Sequence, residues 1–217
     1  MDPAALAGPG APDPGPGLPP WASRAGAKLA AALAVFGIEP AGKICADLGC
    51  STGGFTDVLL RQGAARVHAV DTGRGVLAWR LRSDPRVVVH EQTNALHAAL
   101  AEPCGLVTID VGWTRQRRIV PAALRLLEPG GDIVSLLKPH YEAPRPWLQR
   151  GVLPIERLQA VVDDVLAELS ALAPACAVVA TVESPLSGGK GGNREVLLHL
   201  RAAPVAPTRP QPPESPS

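Results

Sequence analysis

Apolar runs alternate with helical patterns along most of the chain, and the alternation itself predicts an architecture. Runs such as Gly-Leu-Val-Thr-Ile-Asp (105–110) and Asp-Ile-Val-Ser-Leu-Leu (132–137) are nearly continuous in apolar character, as strands buried on both faces of a parallel sheet must be. Strands are predicted over 43–48, 66–70, 86–90, 105–110, 132–137, 177–182 and 195–201. Helices are predicted over 26–37, 54–62, 75–81, 94–101, 116–127 and 155–172. The segment Ser184-Pro-Leu-Ser-Gly-Gly-Lys-Gly-Gly-Asn193 joins the last two strands without a helix, which predicts an antiparallel end to the sheet. The fold class is therefore α/β: a doubly wound, mostly parallel seven-stranded sheet with an antiparallel last strand. Residues 1–20 are rich in Pro, Gly and Ala and residues 203–217 in Pro, so both are expected to be disordered tails around one domain over 21–202.

The stretch 43–57, Lys-Ile-Cys-Ala-Asp-Leu-Gly-Cys-Ser-Thr-Gly-Gly-Phe-Thr-Asp, carries the first chemical signal. It reads as a strand, a tight turn of small residues (Gly49, Ser51, Thr52, Gly53, Gly54, followed by Phe55) and a helix start. Such a turn lets a ligand approach backbone N–H groups at a helix N-terminus. Asp47, at the end of the strand, would repel a pyrophosphate and attract the sulfonium and ammonium of S-adenosylmethionine, or it caps the segment that follows. Asp71 closes the next strand and is placed to accept hydrogen bonds from ribose hydroxyls, or to serve as a turn residue. Asn94 either meets an adenine edge or caps the following helix. A nucleoside methyl donor is favoured over a dinucleotide, since no Gly-x-Gly-x-x-Gly turn is present.

Composition narrows the picture further. The chain has 217 residues, a formal net charge of +1 and a pI near 7.7, so overall charge does not mark it as a nucleic-acid binder and any RNA contact must be local. Two arginine groups offer such patches: Arg74, Arg80, Arg82 and Arg86, and then Arg115, Arg117 and Arg118. Trp113 beside the second group either stacks on a base or lies buried under a loop, and Lys190 in the glycine loop is a further phosphate contact or a solvated side chain. Cys45, Cys50, Cys104 and Cys176 lack C-x-x-C spacing and are read as reduced thiols, and no His/Cys cluster calls for a metal. With no basic leader followed by a long apolar stretch, the chain is expected to act in the cytoplasm, away from membranes. Of 21 basic residues only four are lysine (Lys28, Lys43, Lys138 and Lys190), and where arginine dominates, a surviving lysine is a candidate for proton chemistry.

Ligands of such sheets sit outside the carboxyl ends of the strands. Asp110 closes the fourth strand there, Lys138 closes the fifth, Lys28 opens the first helix and Glu195 begins the last strand. Two lysines and two carboxylates around one cleft form an alternating-charge cluster.

Five segments occur in an order that resembles FtsJ-like ribosomal RNA methyltransferases, nearest the TlyA (haemolysin A) branch. They are Ser-Arg-Ala-Gly-Ala-Lys-Leu, Asp-Leu-Gly-Cys-Ser-Thr-Gly-Gly-Phe-Thr-Asp, Leu-Val-Thr-Ile-Asp-Val, Leu-Leu-Lys-Pro-His-Tyr-Glu-Ala and Gly-Asn-Arg-Glu-Val-Leu-Leu-His-Leu. The resemblance implies a Rossmann-like class I methyltransferase fold, S-adenosylmethionine as cofactor, and methyl transfer to a ribose 2′-hydroxyl of RNA. It also implies a Lys-Asp-Lys-Glu tetrad, which falls on Lys28, Asp110, Lys138 and Glu195. In that reading Lys138 accepts the hydroxyl proton or stabilises the alkoxide, and the carboxylates orient the lysines. This chain departs from the branch in having Gly112-Trp113 after Asp-Val and His140-Tyr141 after Lys-Pro. No counterpart of the branch's N-terminal S4 RNA-binding domain is expected in the low-complexity residues ahead of the domain. Those departures keep two alternatives open: a methyltransferase for a small molecule or another RNA, and a non-catalytic cofactor-binding protein of the ribosome.

Overall fold

The computed structural model describes residues 21–172, 175–188 and 192–204. Most of the expected tails, and Lys190, lie outside the described residues. Seven strands form one sheet in the order β3-β2-β1-β4-β5-β7-β6. They are β1 (Ile44–Leu48), β2 (Arg66–Val70), β3 (Val87–His90), β4 (Cys104–Ile109), β5 (Leu127–Leu137), β6 (Cys176–Glu183) and β7 (Val196–Ala202). β7 runs antiparallel to both of its neighbours, and the neighbouring pairs from β3 to β5 are parallel. Helices α1 (Ala25–Phe36), α2 (Gly54–Arg61), α3 (Trp79–Arg82), α4 (Gln116–Leu124), α5 (Pro139–Glu142) and α6 (Ile155–Ser170) connect the strands and cover the sheet.

Burial explains why the central strands read as unbroken apolar runs. Every residue of β4 is buried, and so are residues 131–137 of β5. One core packs β1, β4 and β5 against α4 and α6, through Ile109, Ile119, Ile133, Val165 and Leu169. The other packs the opposite face against α1 and α2, through Leu29, Leu33, Phe55, Leu59, Leu106 and Leu136. Fully burying side chains of this size contributes about 1.5–3 kcal/mol each. Trp21 seals the second core beneath Gly26, where a Cβ would lie 2.5 Å from the Trp21 side chain, so the residue must be glycine.

Two predicted helices are shorter than expected. Over 75–81 the chain is helical only from Trp79: Gly75 has φ +66° and Ala78 is extended, so the first turn cannot form. Over 94–101 only a single 3-10 turn, Ala95–His97, is present. The chain there must return from the carboxyl edge of β3 to the amino edge of β4 in few residues, and extended backbone covers about twice the distance per residue of a helix. The fifth strand also begins earlier than expected, because Leu127 already pairs with Cys104 before a register shift.

Candidate active site

The order of strands reverses between β1 and β4, and the carboxyl ends of that pair open a crevice. Gly49 makes the crevice possible. Its N–H bonds the Val70 carbonyl at 2.8 Å, its φ is +85°, and a Cβ there would lie 2.6 Å from the Asp110 carbonyl oxygen. The turn after β1 therefore lies directly against the end of β4. Beside it is a cleft of about 340 Å³, lined by Gly49, Ser51, Asp71, Asn94, Leu96 and Asp110, among others. That volume falls within the usual range of small-molecule sites.

Asp71 organises this cleft. Its Oδ2 accepts from the Ser51 N–H at 2.8 Å and its Oδ1 from the Gly73 N–H at 2.7 Å, which joins the turn after β1 to the loop after β2. Each carboxylate oxygen keeps a further lone pair for a hydroxyl. Asn94 does act as a cap, accepting from the Leu96 N–H at 2.9 Å, and it also lines the cleft.

Asp47 stands at the floor of the turn rather than at its mouth, and it borders a pocket there together with Ser51, Thr52 and Asp110. It is fully buried beneath the turn, and its Oδ2 accepts from the Thr56 N–H at 2.8 Å and from Thr56 Oγ1 at 2.7 Å. Burial pushes its carboxyl up to about 7; the Thr56 bonds oppose that shift and Asp110 adds to it. A group so placed holds the turn onto α2, and burial disfavours the negative charge on which the expected attraction rested. Phe55 packs into the core at 2% exposure and borders the same pocket. Thr52 is exposed, and Gly53 and Gly54 are buried at the start of α2.

The four lysines and carboxylates of the predicted tetrad border a second cleft of about 570 Å³, together with His140, Tyr141, Arg150 and Asn193. Register explains how distant segments meet there. Leu137 pairs with Val196 across the antiparallel β5–β7 ladder, so the residues just beyond that pair, Lys138 and Glu195, emerge at the same edge. Lys138 Nζ lies 2.6 Å from Asp110 Oδ1 and donates to the Val111 carbonyl at 3.1 Å. Lys28 and Glu195 form a buried ion pair. His140 is held below the ordinary histidine range by burial and by the charge of Lys138, and its buried Nδ1 has no hydrogen-bond partner. A third pocket, of about 350 Å³, is bounded by Ser23, Arg24, Ser51, Thr52 and Phe55 and again by Asp110 and Lys138. Asp110 thus borders all three.

The two arginine groups differ. Arg80 pairs with Asp57, Arg82 with Glu91 and Arg86 with Asp84, so most of the first group is neutralised by its own surroundings. Arg115, Arg117 and Arg118 are exposed and have no ion pair among the described residues. Trp113 is 83% exposed, so the reading of a buried aromatic is excluded, and its ring lies 5.6 Å from that of Tyr141. The Glu142 carboxylate accepts from the Gln116 N–H at 2.7 Å and fixes the start of α4 beside the cleft. Arg150 carries no signal in the sequence, and Ser23 and Asn193 are visible there only as members of the family segments.

A seven-stranded sheet with this strand order, an antiparallel β7 and a nucleoside-sized cleft at the switch point defines a Rossmann-like methyltransferase. The FtsJ-like methyltransferase family model matches residues 21–202. The chain belongs to that family. YqxC of Bacillus subtilis, provisionally named an rRNA methyltransferase, is 41% identical over 187 residues, which cover 83% of this chain and 65% of that protein. The 16S/23S rRNA (cytidine-2′-O)-methyltransferase TlyA of Mycobacterium tuberculosis is 41% identical over 191 residues, 83% of this chain and 68% of that protein. A solved chain from Lactococcus lactis, provisionally named a hemolysin, superposes with a TM-score of 0.78 at 39% identity, covering 83% of this chain and 88% of that one. The chain therefore spans about two thirds of the length of the curated relatives it matches. Among the described residues no helix is long and apolar enough to cross a membrane, and no group of three or more His, Cys, Asp or Glu is gathered to hold a metal.

Proposed function

We propose that this protein methylates a ribose 2′-hydroxyl of ribosomal RNA, using S-adenosylmethionine and the side chains of Lys28, Asp110, Lys138 and Glu195. The observation that carries the reading is the position of Asp110, which borders both the cleft at the switch point and the cleft that holds the two lysines. A donor in the first cleft and a hydroxyl in the second would meet beside it. The relatives named as rRNA methyltransferases support RNA as the substrate.

Gly49, Ser51, Asp71 and Asn94 line a space that fits the cofactor, with Asp71 free to receive two ribose hydroxyls. S-adenosylmethionine supplies an electrophilic methyl group on a sulfonium and leaves as a neutral thioether. Lys138 takes the proton from the 2′-hydroxyl as its oxygen forms the new bond to carbon, a role that requires its amine to be neutral when it acts. Asp110, at 2.6 Å, and the Val111 carbonyl, at 3.1 Å, aim the Lys138 amine. Lys28, fixed by Glu195, offers a preorganised positive charge to the developing oxyanion. The exposed Arg115, Arg117 and Arg118 with Trp113 form the surface that meets RNA.

The test is methyl transfer from labelled S-adenosylmethionine to ribosomal RNA by the wild type and by Lys138→Arg. Arginine keeps the charge but cannot accept the proton. Turnover should fall by about 10²–10⁴-fold with cofactor affinity preserved. Near-normal turnover by the variant would move the base elsewhere.

A further inference from the structure

Arg150 stands at the edge of the lysine cleft on a turn that does not suit an arginine. Gln149 N donates to the Val152 carbonyl at 2.8 Å and Val152 N donates back to the Gln149 carbonyl at 2.9 Å, which closes a two-residue turn. The central residues, Arg150 and Gly151, have φ of +51° and +83°. This is the type I′ arrangement, for which Asn-Gly is the preferred pair; a long side chain on left-handed backbone is strained.

The turn is also clamped. Buried Asn193 accepts from the Leu153 N–H at 2.9 Å and donates through Nδ2 to the Gly151 carbonyl at 3.1 Å. Both ends of one side-chain amide thus hold the turn beside Glu195. The charge balance of the cleft completes the picture. Lys28 pairs with Glu195 and Lys138 with Asp110, whereas Arg150 is exposed and has no ion pair or hydrogen-bond partner among the described residues. From this strained, clamped turn the Arg150 side chain brings the one uncompensated charge to that cleft among the described residues.

We propose that Arg150 binds the phosphodiester adjoining the reactive ribose. The inference rests on the 2′-hydroxyl reading given above. That hydroxyl sits on the carbon next to the one bearing the 3′-phosphodiester, so an internal ribose presented to Lys138 brings a phosphate anion with it. The planar fork of arginine matches two phosphate oxygens, and a rigid turn limits the entropy lost on binding. Asn193 is a positioning residue, acting through the turn.

Arg150→Gly tests this, because glycine suits φ +51° and removes the guanidinium without endangering the turn. Ribosomal RNA binding is measured over a salt series with the full chain, and methyl transfer is scored separately. Arg150→Gly should melt no lower than the wild type, raise KM for RNA about tenfold, and leave cofactor affinity unchanged. It should also reduce the magnitude of the salt slope by about 1. Arg150→Lys should recover part of the affinity. Unaltered KM and slope, or an RNA defect that merely follows a lowered melting temperature, would overturn the proposal. A wild type that binds RNA without methylating it would defeat the 2′-hydroxyl reading alone, and the slope would still decide Arg150. Absence of RNA binding by the wild type would overturn both.

Discussion

Lys28 and Glu195 lie 167 positions apart in the chain and meet as an ion pair with side chains only 8% and 4% exposed. The pair ties α1 to the start of β7 and so closes one wall of the lysine cleft. Removing one member of a buried pair strands the other charge, which costs about 3–5 kcal/mol. Glu195→Gln should therefore lower unfolding stability by about 3 kcal/mol in urea titration, whereas the double change Lys28→Met with Glu195→Leu should recover most of it. Equal losses in the single and double variants would show that the pair holds nothing together.

Asp71 carries a second expectation. It receives N–H groups from both the Ser51 turn and the Gly73 loop, so Asp71→Ala should weaken S-adenosylmethionine binding by about tenfold or more while the global fold persists. Amide exchange at Ser51 and Gly73 should rise in the same variant. Unchanged affinity in calorimetry would reduce Asp71 to a loop tie.

The sheet, and the meeting of Lys28, Asp110, Lys138 and Glu195 at one cleft, could be read from the chain because their signals are local or ordered. Buried parallel strands announce themselves as apolar runs, and Lys138 and Glu195 each adjoin a strand end whose position follows from that run. The errors lie where local pattern does not decide. The helical patterns over 75–81 and 94–101 yielded to Gly75 and to the distance the chain must span. The sequence neighbours of Asp47 do not reveal that Thr56 holds its carboxylate beneath the turn. Arg150 was invisible because its importance depends on Asn193, 43 residues away in sequence.

Asp47 also predicts a pH dependence. Its folded carboxyl is raised to about 7 from an ordinary value of 3.8, so the unfolded chain releases this proton first. Its contribution to stability is then fully present below about pH 4 and is lost as pH rises towards 7. Asp47→Asn, which cannot ionise, should gain stability relative to the wild type between pH 4.5 and pH 7.5. A relative stability that stays flat over that range would place the ionisation elsewhere.

The exposed arginines make a separate claim about the substrate. Replacing Arg115, Arg117 and Arg118 together with Ala should weaken RNA binding and lower the magnitude of the salt slope by about 2–3, with cofactor affinity unchanged. Methylation of RNA undiminished by this triple variant would remove the surface from the account.

The proposed acceptor of the methyl group is the ribose 2′-oxygen. A methylated 2′-oxygen can no longer attack the neighbouring phosphodiester, so alkali fails to cleave the strand at that nucleotide. Ribosomal RNA treated with the purified protein and labelled S-adenosylmethionine, then hydrolysed in alkali and sequenced, should show the label at one or a few positions that resist cleavage. Label confined to bases, with cleavage unaltered at every position, would contradict that assignment.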